Sequence, residues 1–382
     1  MKGYKGDSPS SPKLQQSAPK NTGRAQPAND LRSRKALGLV SNVLKTPAPK
    51  ATQTRAVNIG VSFRNDSRGK VHVEHDREAI ANIGKVKGVT APNPQTLPKG
   101  ASGPSTPDRT FGADTLKDID MLYIPGGPYR NDTQTARDPS DKLDRDLNLP
   151  RKAYQVDEHE SRAAYEKQMI QKAKTLGMPV MAVCAGTWRL LEAYGGEVET
   201  LPEDERSFHK AEDRSETWSL SHDVGTRRGT LLDSISRGKE DSSSNRGNRR
   251  AHTVHDVNST HWAVAKTTGK SSGERLSQAP NQPLNPNDSL EISAKAKSRD
   301  KRVPETVEGV SSKHGAPVLG VQWHPESYLP GMPGQDKGMG KKAQERTENA
   351  KRIFTAMVQS AETYRNRKSV VAEIKSRVPK RD

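Results

Sequence analysis

The sequence is poor in the residues that fill large apolar cores. Of its 382 residues, 30% are hydrophobic and 4% are aromatic, and the mean hydropathy is −0.93. These values lie well below those of an ordinary globular chain. We therefore expect a good part of the chain to lie outside any packed core.

Long apolar segments are also missing, and cysteine is nearly so. No segment approaches the roughly 18 apolar residues of a membrane span, so no transmembrane segment is predicted. The first residues carry charge without the apolar stretch of a secretory signal peptide. The only cysteine, Cys184, cannot form an internal disulfide, which fits a reducing compartment. Together these absences predict a cytoplasmic protein.

The excess of positive over negative charge is large, and nearly all of it lies at the two ends of the chain. The formal net charge is +17, and residues 1–55 hold 11 Lys and Arg against 2 Asp and Glu, while residues 340–382 hold 12 against 5. The body between them is nearly balanced, so its composition does not predict a nucleic-acid groove. The basic ends are open to contact with an acidic partner, nucleic acid or a membrane surface, although solvated tails are the simpler interpretation. A homodimer is compatible with the sequence.

Composition divides the chain into three parts. Residues 1–54 are predicted to be a disordered basic arm, because they hold too little apolar surface to offset the entropy of ordering. Residues 55–364 are predicted to form the folded domain, with low-complexity insertions near 236–250 and 267–288. Residues 365–382 are predicted to be a basic C-terminal tail.

Within the folded part, strand and helix patterns alternate. Apolar runs at 57–63, 119–124 and 180–183 predict buried strands, and helical periodicity is present at 74–84 and 157–176. This order predicts an α/β fold with a doubly wound, mostly parallel sheet. Short β-like segments further on add β-rich insertions.

Cys184 ends the third of these strands and directly precedes a predicted helix. Ala185 and Gly186 allow a tight strand-to-helix turn, the geometry that presents a reactive side chain at an elbow. The amides at a helix N-terminus would also favour the thiolate. A buried, unreactive cysteine is the alternative interpretation.

Residues that suit a catalytic or binding role follow two further predicted strands. Gly126 and Gly127 follow one strand, as expected where the backbone approaches a ligand or another loop. His324 and Glu326 follow another, and residues two apart in an extended strand point to the same face. A carboxylate beside an imidazole produces the general base that a thiol nucleophile needs. A surface loop is the alternative for this pair.

No metal site and no cofactor are predicted. His252 and His255, with His222 and Asp223 nearby, are the only cluster that suggests a metal. Residues three apart in a β-like segment point to opposite faces, which is unfavourable for chelation.

These motifs, in this order, resemble the class I glutamine amidotransferase-like superfamily and are most similar to the gamma-glutamyl-gamma-aminobutyrate hydrolase family, peptidase C26. The resemblance implies a flavodoxin-like fold and covers roughly residues 57–330. The matching segments are residues 123–127, 177–186, 195–210, 257–261 and 318–326, of which the last, ending in His-Pro-Glu, is the most specific.

The resemblance implies a Cys184–His324–Glu326 triad that hydrolyses a small gamma-glutamyl compound through a thioester on the cysteine. Backbone N–H groups of Gly127 and Ala185 would form the oxyanion hole. Substrate contacts would come from Gly126, from His261 and from residue 188, which is Trp188 here.

The chain departs from the family pattern at three positions. Ala182 replaces a usual glycine, Trp188 replaces a usual glutamine, and Ala185 stands where many members have arginine. These changes bear on the substrate more than on thiol chemistry. Two alternatives stay open: a glutaminase that supplies ammonia to a partner, and a non-catalytic member that binds partners through its basic tails.

Overall fold

The computed structural model describes most of the predicted folded domain. The described residues are 56–62, 69–85, 93–96, 116–126, 156–201, 205, 209, 220–237, 252–259, 261, 263–267, 290–297, 306–332 and 340–377. The predicted N-terminal arm, Gly127 and most of both predicted insertions lie outside them.

Eleven strands and five α-helices make up the described part. The strands are β1 (Asn58–Val61), β2 (Asn93–Thr96), β3 (Met121–Ile124), β4 (Val180–Val183), β5 (Glu197–Thr200), β6 (Leu220–Thr226), β7 (Thr253–Asn258), β8 (Ala263–Thr267), β9 (Leu290–Lys297), β10 (Val307–Ser312) and β11 (Val318–Val321). The helices are α1 (Gly69–Asn82), α2 (Val156–Leu176), α3 (Ala185–Ala193), α4 (Leu231–Arg237) and α5 (Lys341–Arg377). Short 3₁₀ helices cover Ile83–Lys85 and Pro325–Tyr328.

Nine of these strands form one sheet, in the order β2-β1-β3-β4-β11-β10-β9-β6-β7. The first five strands, from β2 to β11 in this order, are parallel to one another. The pairing of β11 with β10 and all later pairings are antiparallel. Strands β5 and β8 form a separate antiparallel pair. The predicted α/β class, with a doubly wound sheet and a β-rich second half, is confirmed.

Side-chain alternation along the parallel strands builds a core on each face of the sheet. In β4, Met181 and Val183 belong to one apolar cluster, whereas Val180 and Ala182 belong to the other. The first cluster includes residues of α1 and α5, and the second includes residues of α2 and α3. A strand buried on both faces has no polar alternation, which explains the continuous apolar run in its sequence.

The C-terminal helix is longer than the sequence suggested. Helix α5 continues to Arg377, whereas a basic tail was expected from residue 365. Arg367 donates hydrogen bonds to the carbonyls of Leu176 and Gly177, and Lys368 forms an ion pair with the buried Asp120. The extension is therefore anchored to the domain by its own basic side chains. No helix in the described part of the chain is long and apolar enough to cross a membrane.

Candidate active site

The carboxyl ends of three neighbouring strands meet at one edge of the sheet. Strand β4 lies between β3 and β11 and is parallel to both. The residues that follow these strands include Gly126, Cys184 and His324, which the sheet order therefore brings together. Ligand sites of open α/β sheets lie at this edge.

Cys184 occupies a strained turn between β4 and α3. Its backbone has φ of +49° and ψ of −116°, a conformation that side chains with a Cβ rarely adopt. Its N–H donates to the carbonyl of Val321, 2.9 Å away, so the turn is tied to the end of β11. Strain of this kind persists only where the surrounding structure imposes it. The predicted nucleophile elbow is therefore present in its geometry.

Small residues let the start of helix α3 approach the sheet closely. A Cβ added to Gly186 would lie 2.3 Å from the carbonyl oxygen of Ile124, so no other residue fits without displacing the backbone. The Thr187 hydroxyl donates to the Val321 carbonyl at 2.8 Å, and the Thr187 N–H donates to the Cys184 carbonyl at 2.9 Å. These contacts hold the cysteine between the helix and two strand ends.

His324 and Glu326 form a close pair, as the sequence predicted, but through a different local structure. His324 Nδ1 lies 2.6 Å from Glu326 Oε1. Strand β11 ends at Val321, and Glu326 belongs to the 3₁₀ helix Pro325–Tyr328. The prediction that an extended strand aligns the two side chains is wrong; the turn after the strand brings them together.

The charge environment of His324 suits an imidazolium. Burial lowers the pKa of His324, but the Glu326 carboxylate and the Cys184 sulfur, through charge and hydrogen bonding, raise it well above its usual value. Glu326 is almost fully buried, which strengthens its field at the ring. In many enzymes with a cysteine nucleophile, the resting state is a protonated histidine beside a thiolate.

Gly126 lies between the cysteine and the histidine. A Cβ at this position would lie 2.8 Å from Cε1 of His324 and 3.2 Å from Cβ of Cys184. Only a glycine allows the end of β3 to approach both side chains. The predicted role of Gly126 in substrate binding stays a prediction, while its packing against the two side chains is clear.

Asn258 is a positioning residue that the sequence interpretation did not assign. Its side-chain Oδ1 accepts a hydrogen bond from the backbone N–H of His324 at 3.2 Å, and the amide is buried. Asn258 is the second residue of the Val-Asn-Ser-x-His segment, so the signal was present in the sequence. What it touches depends on β7 lying near the end of β11.

The remaining predicted site residues fall in different places. Ala185 is the first residue of α3 and follows the cysteine directly, where unpaired helix N–H groups are available. Trp188 is 1% exposed and packs in the core cluster between the sheet and helices α2 and α3. His261 is fully buried and makes contacts with Glu308 and with the Ala263 carbonyl. The substrate contacts assigned to these last two stay predictions.

A second polar cluster lies inside the protein. His209, His222, His261 and Glu308 each offer one atom of a type that can bind a metal, and these atoms all lie within 4.8 Å of one another. Only His222 among them belonged to the metal cluster considered from sequence. His255 instead pairs with Asp223, with 3.0 Å between Nδ1 and Oδ2.

Comparison with known proteins identifies several that this chain resembles. A Rickettsia bellii protein named for ankyrin repeats is 27% identical over 267 residues, which make up 69% of this chain and 34% of that protein. The chain thus spans about a third of the length of this curated relative.

Solved structures of glutaminase and amidotransferase domains are also similar. The glutaminase domain of Trypanosoma brucei CTPS with bound acivicin is 12% identical, with a TM-score of 0.40 over 80% of this chain and 94% of that one. A Thermotoga maritima glutamine amidotransferase is 12% identical, with a TM-score of 0.35 over 82% and 98% of the two chains.

The family assignment rests on the sequence match to a family rather than on these distant structures. The model of the Peptidase C26 family matches residues 59–326, which is well over half of the chain. The matched span runs from β1 to Glu326 and so includes Gly126, Cys184 and His324. The chain belongs to the Peptidase C26 family.

Proposed function

We propose that this protein is a cysteine-dependent hydrolase that cleaves the amide bond of small gamma-glutamyl compounds. The observation that carries the proposal is the strained Cys184, which faces a His324 paired at 2.6 Å with a buried Glu326. Family membership supports hydrolysis by a cysteine nucleophile, and the resemblance of the motifs supports the gamma-glutamyl substrate class.

The reaction would begin at the sulfur. The Cys184 thiolate attacks the side-chain amide carbonyl of the gamma-glutamyl group, and a C–S bond forms as the carbonyl π electrons move to oxygen. Backbone N–H groups at the start of α3, including that of Ala185, would stabilise this oxyanion. His324 then gives its proton to the leaving amine, the C–N bond breaks, and a thioester remains.

Water completes the cycle. Neutral His324 removes a proton from a water molecule as the water attacks the thioester carbonyl, and the second tetrahedral intermediate collapses with loss of the thiolate. His324 is again protonated beside Cys184, and the glutamate product leaves. Glu326 orients the ring and stabilises its positive charge throughout, without itself taking the proton.

The single cysteine makes the proposal easy to test. Wild type, Cys184→Ala and the surface control His255→Asn are incubated with gamma-glutamyl p-nitroanilide, with glutamine and with gamma-glutamyl amides of small amines. We expect wild type and His255→Asn to release the amine and Cys184→Ala to be inactive. Iodoacetamide should modify wild type and His255→Asn but not Cys184→Ala, because the sequence holds no other cysteine.

The same experiment distinguishes the alternatives. Failure to hydrolyse any gamma-glutamyl compound, together with an unreactive Cys184, would contradict the enzyme proposal. Rapid alkylation without turnover of these compounds would retain the nucleophile but reject the substrate class. Glutamine hydrolysis that appears only with a co-purified protein would favour the ammonia-supplying glutaminase.

A further inference from the structure

The buried cluster of His209, His222, His261 and Glu308 contains no member of the triad and takes no part in the bond-making and bond-breaking steps described above. His209, His261 and Glu308 are fully buried, and the His222 side chain is 11% exposed. Isolated polar groups at such depth are costly unless their charges and lone pairs are compensated. The arrangement of the four side chains indicates what compensates them.

The spacing of the inward-facing atoms is that of ligands around one ion. Glu308 Oε1 lies 3.0 Å from His261 Nε2, 3.4 Å from His222 Nε2 and 3.5 Å from His209 Nδ1. His209 Nδ1 and His222 Nε2 are 3.2 Å apart. Ligands about 2.0–2.1 Å from a tetrahedral Zn²⁺ lie roughly 3.3–3.4 Å from each other. These four separations bracket this value, and all the ligand atoms lie within 4.8 Å of one another.

The opposite ring nitrogens are held in the way metal-binding imidazoles usually are. His222 Nδ1 and His261 Nδ1 lie 3.2 Å and 3.1 Å from the carbonyl oxygens of Asp223 and Ala263. A carbonyl can only accept, so each Nδ1 carries a proton, and Nε2 is the ring nitrogen that faces the cluster. Such outer hydrogen bonds fix the tautomer of a metal ligand.

His209 follows the same pattern through a hydroxyl. Its Nε2 lies 3.4 Å from Thr306 Oγ1, and that hydroxyl donates to Glu308 Oε1 at 3.2 Å. With its proton given to Glu308, the hydroxyl accepts from Nε2 of His209, and Nδ1 of His209 is left unprotonated. Three imidazole lone pairs and one carboxylate oxygen then converge.

A network of hydrogen bonds alone does not explain this geometry. One carboxyl proton on Glu308 can be donated to only one of the three nitrogens that surround Oε1. The other carboxyl oxygen, Oε2, is buried and has no hydrogen-bond partner among the described residues. A single cation satisfies the three imidazole nitrogens and Oε1 of Glu308 together.

We propose that His209, His222, His261 and Glu308 bind one divalent transition-metal cation, best matched by Zn²⁺. Three imidazoles and a carboxylate suit zinc in ligand type and number, whereas Ca²⁺ and Mg²⁺ prefer all-oxygen sites. The ion would join β6, β10 and the segment before β8. That segment follows Asn258, which holds the backbone of His324, so the role of the ion is structural support behind the triad.

Metal binding is best measured in full-length Cys184→Ala protein. This background removes the thiol, so the sulfur of the triad cannot capture the ion. After treatment with EDTA, the protein is titrated with Zn²⁺ against a chromophoric chelator and, separately, with Co²⁺. We expect about one Zn²⁺ per chain and the intense visible absorption of tetrahedral Co²⁺.

Ligand variants locate the site. His222→Asn should weaken Zn²⁺ binding by more than the 10–100-fold that loss of an outer hydrogen bond typically costs. His255→Asn, which changes a histidine outside the cluster, should bind Zn²⁺ as the Cys184→Ala parent does. Circular dichroism establishes that each variant is folded before titration.

Three results would overturn the proposal. One is the absence of stoichiometric Zn²⁺ uptake by the folded parent protein. The second is the weak spectrum of octahedral Co²⁺, which indicates surface binding. The third is equal loss of affinity in His222→Asn and His255→Asn. None of these measurements depends on hydrolase activity.

Discussion

Nδ1 of His324 and Oε1 of Glu326 are held 2.6 Å apart by the turn that follows β11, in which Pro325 begins a 3₁₀ helix and Glu326 is its second residue. This turn gives the Glu326 carboxylate little freedom to move away from the His324 imidazole. His324 faces Cys184 with its charge already stabilised.

Glu326→Gln should remove the charge that stabilises the His324 imidazolium while keeping a similar shape. We expect the rate of gamma-glutamyl hydrolysis to fall by about 10²–10⁴, as is typical when general acid–base catalysis is impaired. The pKa of the His324 ring, followed by NMR, should fall from its raised value, because the Glu326 charge is one of the causes that raise it. An unchanged hydrolysis rate together with an unchanged His324 titration would show that Glu326 does not act on His324.

Gly126→Ala should separate the nucleophile from its base. The added Cβ would lie 2.8 Å from Cε1 of His324, and a displacement of about 1 Å can cost about 100-fold in rate. Gly195→Ala is the control, because no atom lies within 4 Å of its added Cβ, although its positive φ makes alanine unfavourable there. The control should lose some thermal stability but retain its kcat, whereas Gly126→Ala should lose kcat.

Asn258→Ala should free the backbone of His324 without touching the reacting atoms. We expect kcat to decrease about tenfold with little change in KM, because the lost hydrogen bond orients the base rather than binding substrate. Asn258→Asp retains an acceptor oxygen and should recover part of the rate. If both variants lower kcat equally, the oxygen of Asn258 is not the feature that positions His324.

The raised pKa of His324 should be visible as pH-dependent stability. Because the folded state holds this proton more tightly than the unfolded chain, the contribution is complete below the unfolded value of about 6.5 and is lost as pH rises through the higher folded value. The difference in urea midpoint between wild type and His324→Asn should therefore decrease on going to alkaline pH. A difference that grows with pH would contradict the imidazolium assignment.

Lys368→Ala should destabilise the protein, which a residue in a free tail would not do. Lys368 Nζ lies 2.8 Å from the fully buried Asp120 Oδ1, so its removal takes a close positive charge away from a buried carboxylate. We expect the free energy of unfolding to fall by about 1–3 kcal/mol. Lys375→Ala, on the exposed end of α5, should change it by less than about 0.5 kcal/mol. Equal effects would argue against the anchoring contact.

Much of the site was accessible from the sequence because its residues adjoin strands with strong apolar patterns. The run Val180–Val183 predicted its strand correctly, and the glycines after β3 and the His-Pro-Glu after β11 marked the neighbouring strand ends. Parallel strands in a doubly wound sheet bring such ends to one edge, so local pattern and topology together predict the meeting of Cys184 and His324.

The extension of α5 was missed for a physical reason. Its final turns carry many charged side chains and expose Val370, Val371 and Ile374, so no apolar stripe extends the helical pattern. Its attachment comes from Arg367 and Lys368, whose partners lie on distant parts of the chain. Contacts between residues so far apart in the chain produce no pattern in the local sequence.

The class of fold, the nucleophile elbow and the family could be predicted from the sequence, since each depends on short segments with local geometric requirements. That Asn258 hydrogen-bonds to His324 and that Trp188 lies in the core became apparent only from the three-dimensional structure. The structure also shows that His209, His222, His261 and Glu308 converge. These four residues are spread over 100 positions of the sequence. The pairing of β6 with β9 and of β9 with β10 brings distant parts of the chain together, and no local sequence pattern predicts this.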